Sequence, residues 1–241
     1  SITSGAVLDL NGQTMTNTNA LTINGTGITS GGAVINSSAT GATYAGLVTL
    51  GSAASIVGGS GTITLSNSGT ITGSGFGLTL GGAAGGTITS IIGTTSGTLT
   101  KADAGTWTLN GANTYSGNTT ISAGTLKLGN ASALGASSSN VSITSGAVLD
   151  LNGQTVTNTN ALTINGTGIT SGGAVINSSA TGASYAGLVT LGSASSIVGG
   201  SGTITLSNSG TITGATFGLT LGGAAGGTIT SIIGTTSGTL T

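Results

Sequence analysis

The chain has 241 residues, 49 of them glycine, no cysteine, histidine or proline, and two basic against three acidic side chains for a net charge of −1. That composition removes thiolate and imidazole metal sites, Ser-His-Asp and Cys-His catalysis, and the dense positive charge that a nucleic-acid backbone requires. The remaining carboxylates, Asp9, Asp103 and Asp150, include one pair held far apart by a repeat, so we expect no paired acid–base chemistry, no enzyme and no cofactor.

Low charge and abundant glycine invite a reading as disorder, but 36% hydrophobic residues and a mean hydropathy of +0.44 are too apolar for a solvated linker. No apolar run reaches the length of a membrane-spanning helix, so no membrane insertion is expected in this stretch. Ser1 opens no basic and apolar leader, and any export signal is expected outside these residues.

In chain order, Asn11-Gly12 and Asn24-Gly25 are the first turn signals, because both residue types tolerate positive φ. Gly61-Thr62-Ile63-Thr64-Leu65 and Gly77-Leu78-Thr79-Leu80 alternate apolar residues with β-branched threonine, which predicts half-buried strands with Ile63 and Leu65 inward and Thr62 and Thr64 outward. The run Gly81–Gly86 reads as a wide loop; it lacks the lysine and helix of a phosphate loop. Beyond it come Trp107 between Thr106 and Thr108, and the turn signals Asn110-Gly111, Asn152-Gly153 and Asn165-Gly166.

Residues 1–100 then recur as 142–241, offset by 141, with five differences: Met15/Val156, Thr43/Ser184, Ala54/Ser195, Ser74/Ala215 and Gly75/Thr216. Within the unit, Gly-Thr-apolar-polar motifs recur at Gly61, Gly86, Gly105 and Gly124. A period of roughly 20–25 residues, with short strands and Asn/Gly corners, predicts one continuous all-β solenoid over 1–241, a parallel β-helix in which like residues stack in ladders. About eleven coils of ~22 residues would form a rod on the order of 50 Å long. The segment 101–141 joins the copies, and neither end shows a polar cap, which suggests an excerpt of a longer array.

Residues 98–129 read TLTKADAGTWTLNGANTYSGNTTISAGTLKLG. This resembles the autotransporter passenger-associated strand repeat, with Asp103-Ala104 and Asn118 as small departures. The resemblance covers about 30 residues of each unit. It implies a right-handed parallel β-helix, type V export from a Gram-negative bacterium, and an extracellular, cell-surface location for a structural or adhesive fibre.

Several side chains tempt a sharper reading. Trp107 and Tyr115 could stack a sugar, but the alternation around Trp107 places it in the core. Lys101 and Asp103 are expected to form an exposed ion pair, and Lys127 to interrupt an uncharged stripe as a guard against lateral pairing. Thr-x-Thr pairs at Thr62/Thr64, Thr87/Thr89 and Thr106/Thr108 are candidate surface contacts; parallel files of threonine are similar to those of ice-binding solenoids, the alternative to an adhesin. The expected partners are copies of the rod itself, associating laterally or head to tail, and other cell surfaces or matrix.

Overall fold

A computed structural model describes residues 1–241 as a parallel β-solenoid of about ten turns. It contains no α-helix, only the short 3-10 turns Ile28–Ser30 and Ile169–Ser171. Most of its strands are short, many with a buried–half-buried–buried pattern, as at Ile63–Leu65 and Leu99–Lys101, while Val48–Gly58 and Val189–Val198 run on from one face to the next. Two inward side chains per strand, with one threonine or serine between them outward, is what alternation along a pleated strand dictates.

Each turn of the solenoid contributes to three faces. On face I, Val34, Ile56, Leu80, Lys101, Ile121, Ile143, Ile164 and Leu191 lie over one another in successive turns. On face II the column runs Ala42, Ile63, Gly86, Trp107, Leu126, Leu149, Val175, Ile197 and Leu221. Face III begins with Leu21–Gly25, Thr70–Thr72 and Ile91–Gly93 and continues through Tyr115 to Ala183–Tyr185 and Ile204–Leu206. The inward columns merge into one core running the length of the rod. Each buried leucine or isoleucine contributes roughly 1.5–3 kcal/mol by leaving water.

These columns place the two copies of the repeat on different faces. Val34 stands on face I, but its equivalent Val175 stands on face II; the residue that continues the Val34 column is Ile164, the equivalent of Ile23. From Val34 to Ile164 the column climbs six turns, and Val175 is one face further on, so one repeat unit spans six turns and one face. The second copy is therefore the first carried up the axis and rotated by one face.

Turn length is uneven. The turn that stacks Thr125 on Thr106 is short, while the one that stacks Thr43 on Thr14 is longer by about a half. The long turns, which hold the Ile28–Ser30 and Ile169–Ser171 loops, use up chain, and so there are about ten turns and not the eleven that a uniform period predicts.

Corners are set by local chemistry. Asn11-Gly12 and Asn152-Gly153 turn with positive φ at both residues, as read from the sequence. Asn110-Gly111 does not: neither residue has positive φ, and Gly111 is needed because a Cβ there would collide with the carbonyl oxygen of Ser90. Buried Asn36 closes another corner, donating from Nδ2 to the carbonyls of Thr40 and Thr62 and accepting at Oδ1 from the amides of Gly12 and Ser38. Asn177 repeats the arrangement one unit on. Such full satisfaction lets a carboxamide be buried without penalty.

Candidate functional surface

The threonines singled out in the sequence all lie on face II or its edge, but they do not form two parallel files. Thr64 stacks with Thr43, Thr87 and Thr108 down the middle of the face, and Lys127 ends that file. Thr106 stacks on Gly85 and Thr125, so the outer file is broken by a glycine, and the Thr62 hydroxyl lies over Gly41 two turns from Thr106. Thr89 is displaced to the far edge, its amide donating to the Leu65 carbonyl. The reason is register: Thr87 stands over Thr64 and not over Thr62, which pairs the second threonine of one motif with the first of the next.

A longer hydroxyl file lies on face I. Thr79, Thr100, Thr120, Ser142, Thr163, Thr190 and Thr213 stack without interruption. The upper part of this file, Thr163 to Thr213, is the copy of Thr22, Thr49 and Thr72, which occupy face III in the first unit. The rotation between copies thus joins two separate stripes into one. Neighbouring hydroxyls in it meet directly, Thr190 to Thr213 at 3.3 Å, as Thr49 does with Thr72. No motif signal reveals this file; it needs the turn lengths.

Charged groups are few and each is tied to the scaffold. Lys101 is not on the surface: it occupies the inward column between Leu80 and Ile121, wholly buried. Its Nζ donates to the carbonyls of Ala102, Asp103 and Ala123, at 2.5, 2.8 and 2.9 Å. Burial pushes its pKa down to about 8, partly countered by the charge of Asp103. The Asp103 carboxylate does not bond the ammonium but accepts the Gly82 amide at 2.7 Å. The expected exposed ion pair is replaced by a lysine capped by backbone carbonyls, because the corner turns the Ala102 and Asp103 oxygens inward and the next turn brings that of Ala123 to the same point.

Lys127 does reach the surface, and it has a partner: its Nζ lies 3.6 Å from Asp150 Oδ2 and donates to Ser178 Oγ at 3.0 Å. Asp150 also accepts the amides of Asn152 and Ser178 and the Ser178 hydroxyl. Its copy Asp9 keeps the equivalent bonds to Asn11 and Ser37, and the Ser37 hydroxyl above all holds its carboxyl below the usual range. These contacts tie adjacent turns together. The hydroxyl proton of Ser178 is directed to Asp150.

Trp107, Tyr115 and Tyr185 belong to the core. Trp107 is fully buried on face II and donates Nε1–H to the Gly81 carbonyl at 2.9 Å. Tyr115 bonds Thr119 Oγ1 at 2.7 Å and Tyr185 donates to the Asn160 carbonyl at 2.7 Å; burial raises the pKa of both phenols.

One surface feature escapes the strand pattern altogether. The loop around Ile28 carries positive φ at Gly27, Thr29 and Ser30 and leaves Ile28 62% exposed; its copy exposes Ile169. A large apolar side chain held out on a conformation that L-residues rarely adopt is an unusual concentration of strain. The cue in the sequence is an isoleucine isolated between glycines, Gly25-Thr26-Gly27-Ile28-Thr29-Ser30-Gly31-Gly32.

The architecture defines an extended parallel β-solenoid built from a repeated unit. Within it, residues 99–128 match the family model of the passenger-associated-transport-repeat. That repeat and the solenoid fold together fit an autotransporter passenger segment and suggest a secreted or surface location. Comparison with curated proteins and with solved structures gives no match. The matched residues start on face I at Leu99–Lys101, cross face II at Thr106–Leu109, and end on face II one turn later at Thr125–Leu128. They include the tightest turn, the buried lysine and the only tryptophan.

Proposed function

We propose that the chain is a non-catalytic structural and adhesive segment of a repetitive surface fibre of a Gram-negative bacterium, extending from the cell and sticking to like rods or to other surfaces. The passenger-type repeat at 99–128 carries this reading. Supporting it, each of the three aspartates and two lysines is hydrogen-bonded to a neighbouring turn, and the exposed isoleucines Ile28 and Ile169 recur once per unit. A rod of nearly zero net charge has little long-range repulsion to keep copies apart. Contact through Ile28, Ile169 and hydroxyl-bearing faces gives association that salt hardly affects, because few ion pairs are available to screen.

Sedimentation velocity at low and high ionic strength tests it. We expect concentration-dependent association in both buffers, reduced in the double variant Ile28→Ser/Ile169→Ser. A chain that remains monomeric at high concentration in both buffers makes this segment a passive spacer. Ice binding, the alternative, takes some support from the continuous hydroxyl file on face I. The flanking positions there, Gly77, Asn118 and Ala161, supply no second threonine file beside it, and adhesion is the reading we keep.

A further inference from the structure

Asn-Gly pairs are prone to lose the asparagine side-chain amide spontaneously, because glycine puts no Cβ in the way of its own backbone nitrogen as it swings toward the carboxamide. The chain holds five such pairs, beginning at Asn11, Asn24, Asn110, Asn152 and Asn165. At four of them the fold ties up the nitrogen that would attack. The amide of Gly12 donates to Asn36 Oδ1 and that of Gly153 to Asn177 Oδ1. Gly25 donates to Ser52 Oγ and Gly166 to Ser193 Oγ, each at 2.9 Å. Carboxamides are held as well: Nδ2 of Asn24, Asn152 and Asn165 donates to the carbonyls of Ile2, Leu128 and Ile143 respectively.

Asn110-Gly111 has neither restraint. The Asn110 side chain is exposed and bonds to no protein group, and the Gly111 amide donates to none. Asn113, the buried asparagine of this corner, gives its Oδ1 to the amide of Ile92, where Asn36 and Asn177 give theirs to the glycine of the Asn-Gly pair. We propose that Asn110 is a self-modification site, converted by water to aspartate and isoaspartate. Hydroxide takes the Gly111 amide proton, and the nitrogen attacks Asn110 Cγ. The bond from Cγ to the side-chain nitrogen breaks, ammonia leaves with a proton from water, and hydroxide is returned. Water then opens the five-membered imide at one of its two carbonyls. The net change is one water consumed and one ammonia released, with no other reactant. The product adds one negative charge to a chain whose net charge is −1. Isoaspartate also routes the main chain through the side-chain methylene. It lengthens the corner where Gly129 of the next turn packs so closely that a Cβ on it would collide with Asn110 Oδ1. The site follows from the hydrogen bonds of this corner and does not depend on the adhesive reading.

The two lysines make the test direct. Cleavage after Lys101 and Lys127 yields a middle peptide in which Asn110-Gly111 is the only Asn-Gly pair, while the flanking peptides carry the other four. The full chain is incubated at mildly alkaline pH, folded and in denaturant, and aspartate plus isoaspartate at each pair is followed by mass spectrometry after cleavage. In the folded chain Asn110 should be converted at least about tenfold faster than each of the other four. In the unfolded chain the five should agree within about threefold, since each is followed by the same glycine. Conversion of Asn110 in the folded chain no faster than that of Asn152 overturns the proposal. So does a tenfold lead for Asn110 that survives unfolding, which would place its cause in the local sequence and not in the fold.

Discussion

Residues 1–100 and 142–241 are nearly the same sequence, yet they are not buried alike. Asp9 is exposed where Asp150 is 3% exposed, and Leu99 is 1% exposed where Leu240 is 57% exposed. The first copy is open at its start and closed at its finish, and the second is the reverse. Burial in this fold is therefore not written into a unit; it is conferred by whichever turn lies above and below. Stability in such a rod is a sum over interfaces between neighbours more than over the units themselves.

The sharpest way to break that comparison is at the point where the first copy is sealed. Trp107→Ala should cost about 3–5 kcal/mol, the range for removing a large buried aromatic, since it empties the space over Gly86 and leaves the Gly81 carbonyl without its donor. Chemical denaturation measures it. A loss below about 1 kcal/mol would mean that the turns there close without the indole.

A matched pair comes next. Leu99→Ala should cost about 2–5 kcal/mol, while Leu240→Ala, the same substitution in the same local sequence, should stay within about 0.5 kcal/mol. Equal losses would show that the last turn is covered in solution.

Lys101 adds a dependence on pH that belongs to the closed region alone. Its pKa is lowered to about 8 in the fold, against 10.5 for the free side chain. Between those values the unfolded chain holds a proton that the folded chain has released, so stability should rise from about pH 8 to about pH 10.5. Thermal unfolding at several pH values should show a rise of a few degrees, absent in Lys101→Met. A melting temperature that falls across this window would mean that the three carbonyls hold the ammonium charged.

The smallest effect separates the two aspartates. Asp150→Asn removes the partner of Lys127 as well as the acceptor of Ser178, whereas Asp9→Asn removes only the equivalent of the latter. The difference between them should be no more than about 1 kcal/mol, and salt should shrink it.

Much of this is legible in the residues alone. Alternation puts Ile63, Leu65 and Trp107 inward, and the long recurrence with Asn-Gly corners implies a solenoid. Lys101 is misplaced when its charge is weighed above its position: Leu99-Thr100-Lys101 alternates like its neighbours, and the carbonyls that make burial tolerable come from a corner and from Ala123 in the next turn. The threonine files are misassigned for another reason. Whether Thr62 or Thr64 stacks on Thr87 turns on a single dipeptide more or less in the intervening coil, and no local signal sets that length. The Ile28 loop escapes notice because it belongs to no strand.

The fraction of a turn left over in each unit has a geometric consequence for any longer run of them. With turns stacked ~4.8 Å apart, one unit rises roughly 30 Å, and three units rise roughly 90 Å before a feature points again in its original direction. The protruding isoleucines would then climb such a filament like the steps of a spiral stair, facing three compass points in rotation. A filament of this kind has no back: however it rolls against a flat surface, one step in three is presented to it. Two filaments lying side by side can match step to step only at every third unit, which favours crossing and meshwork over tight parallel bundles.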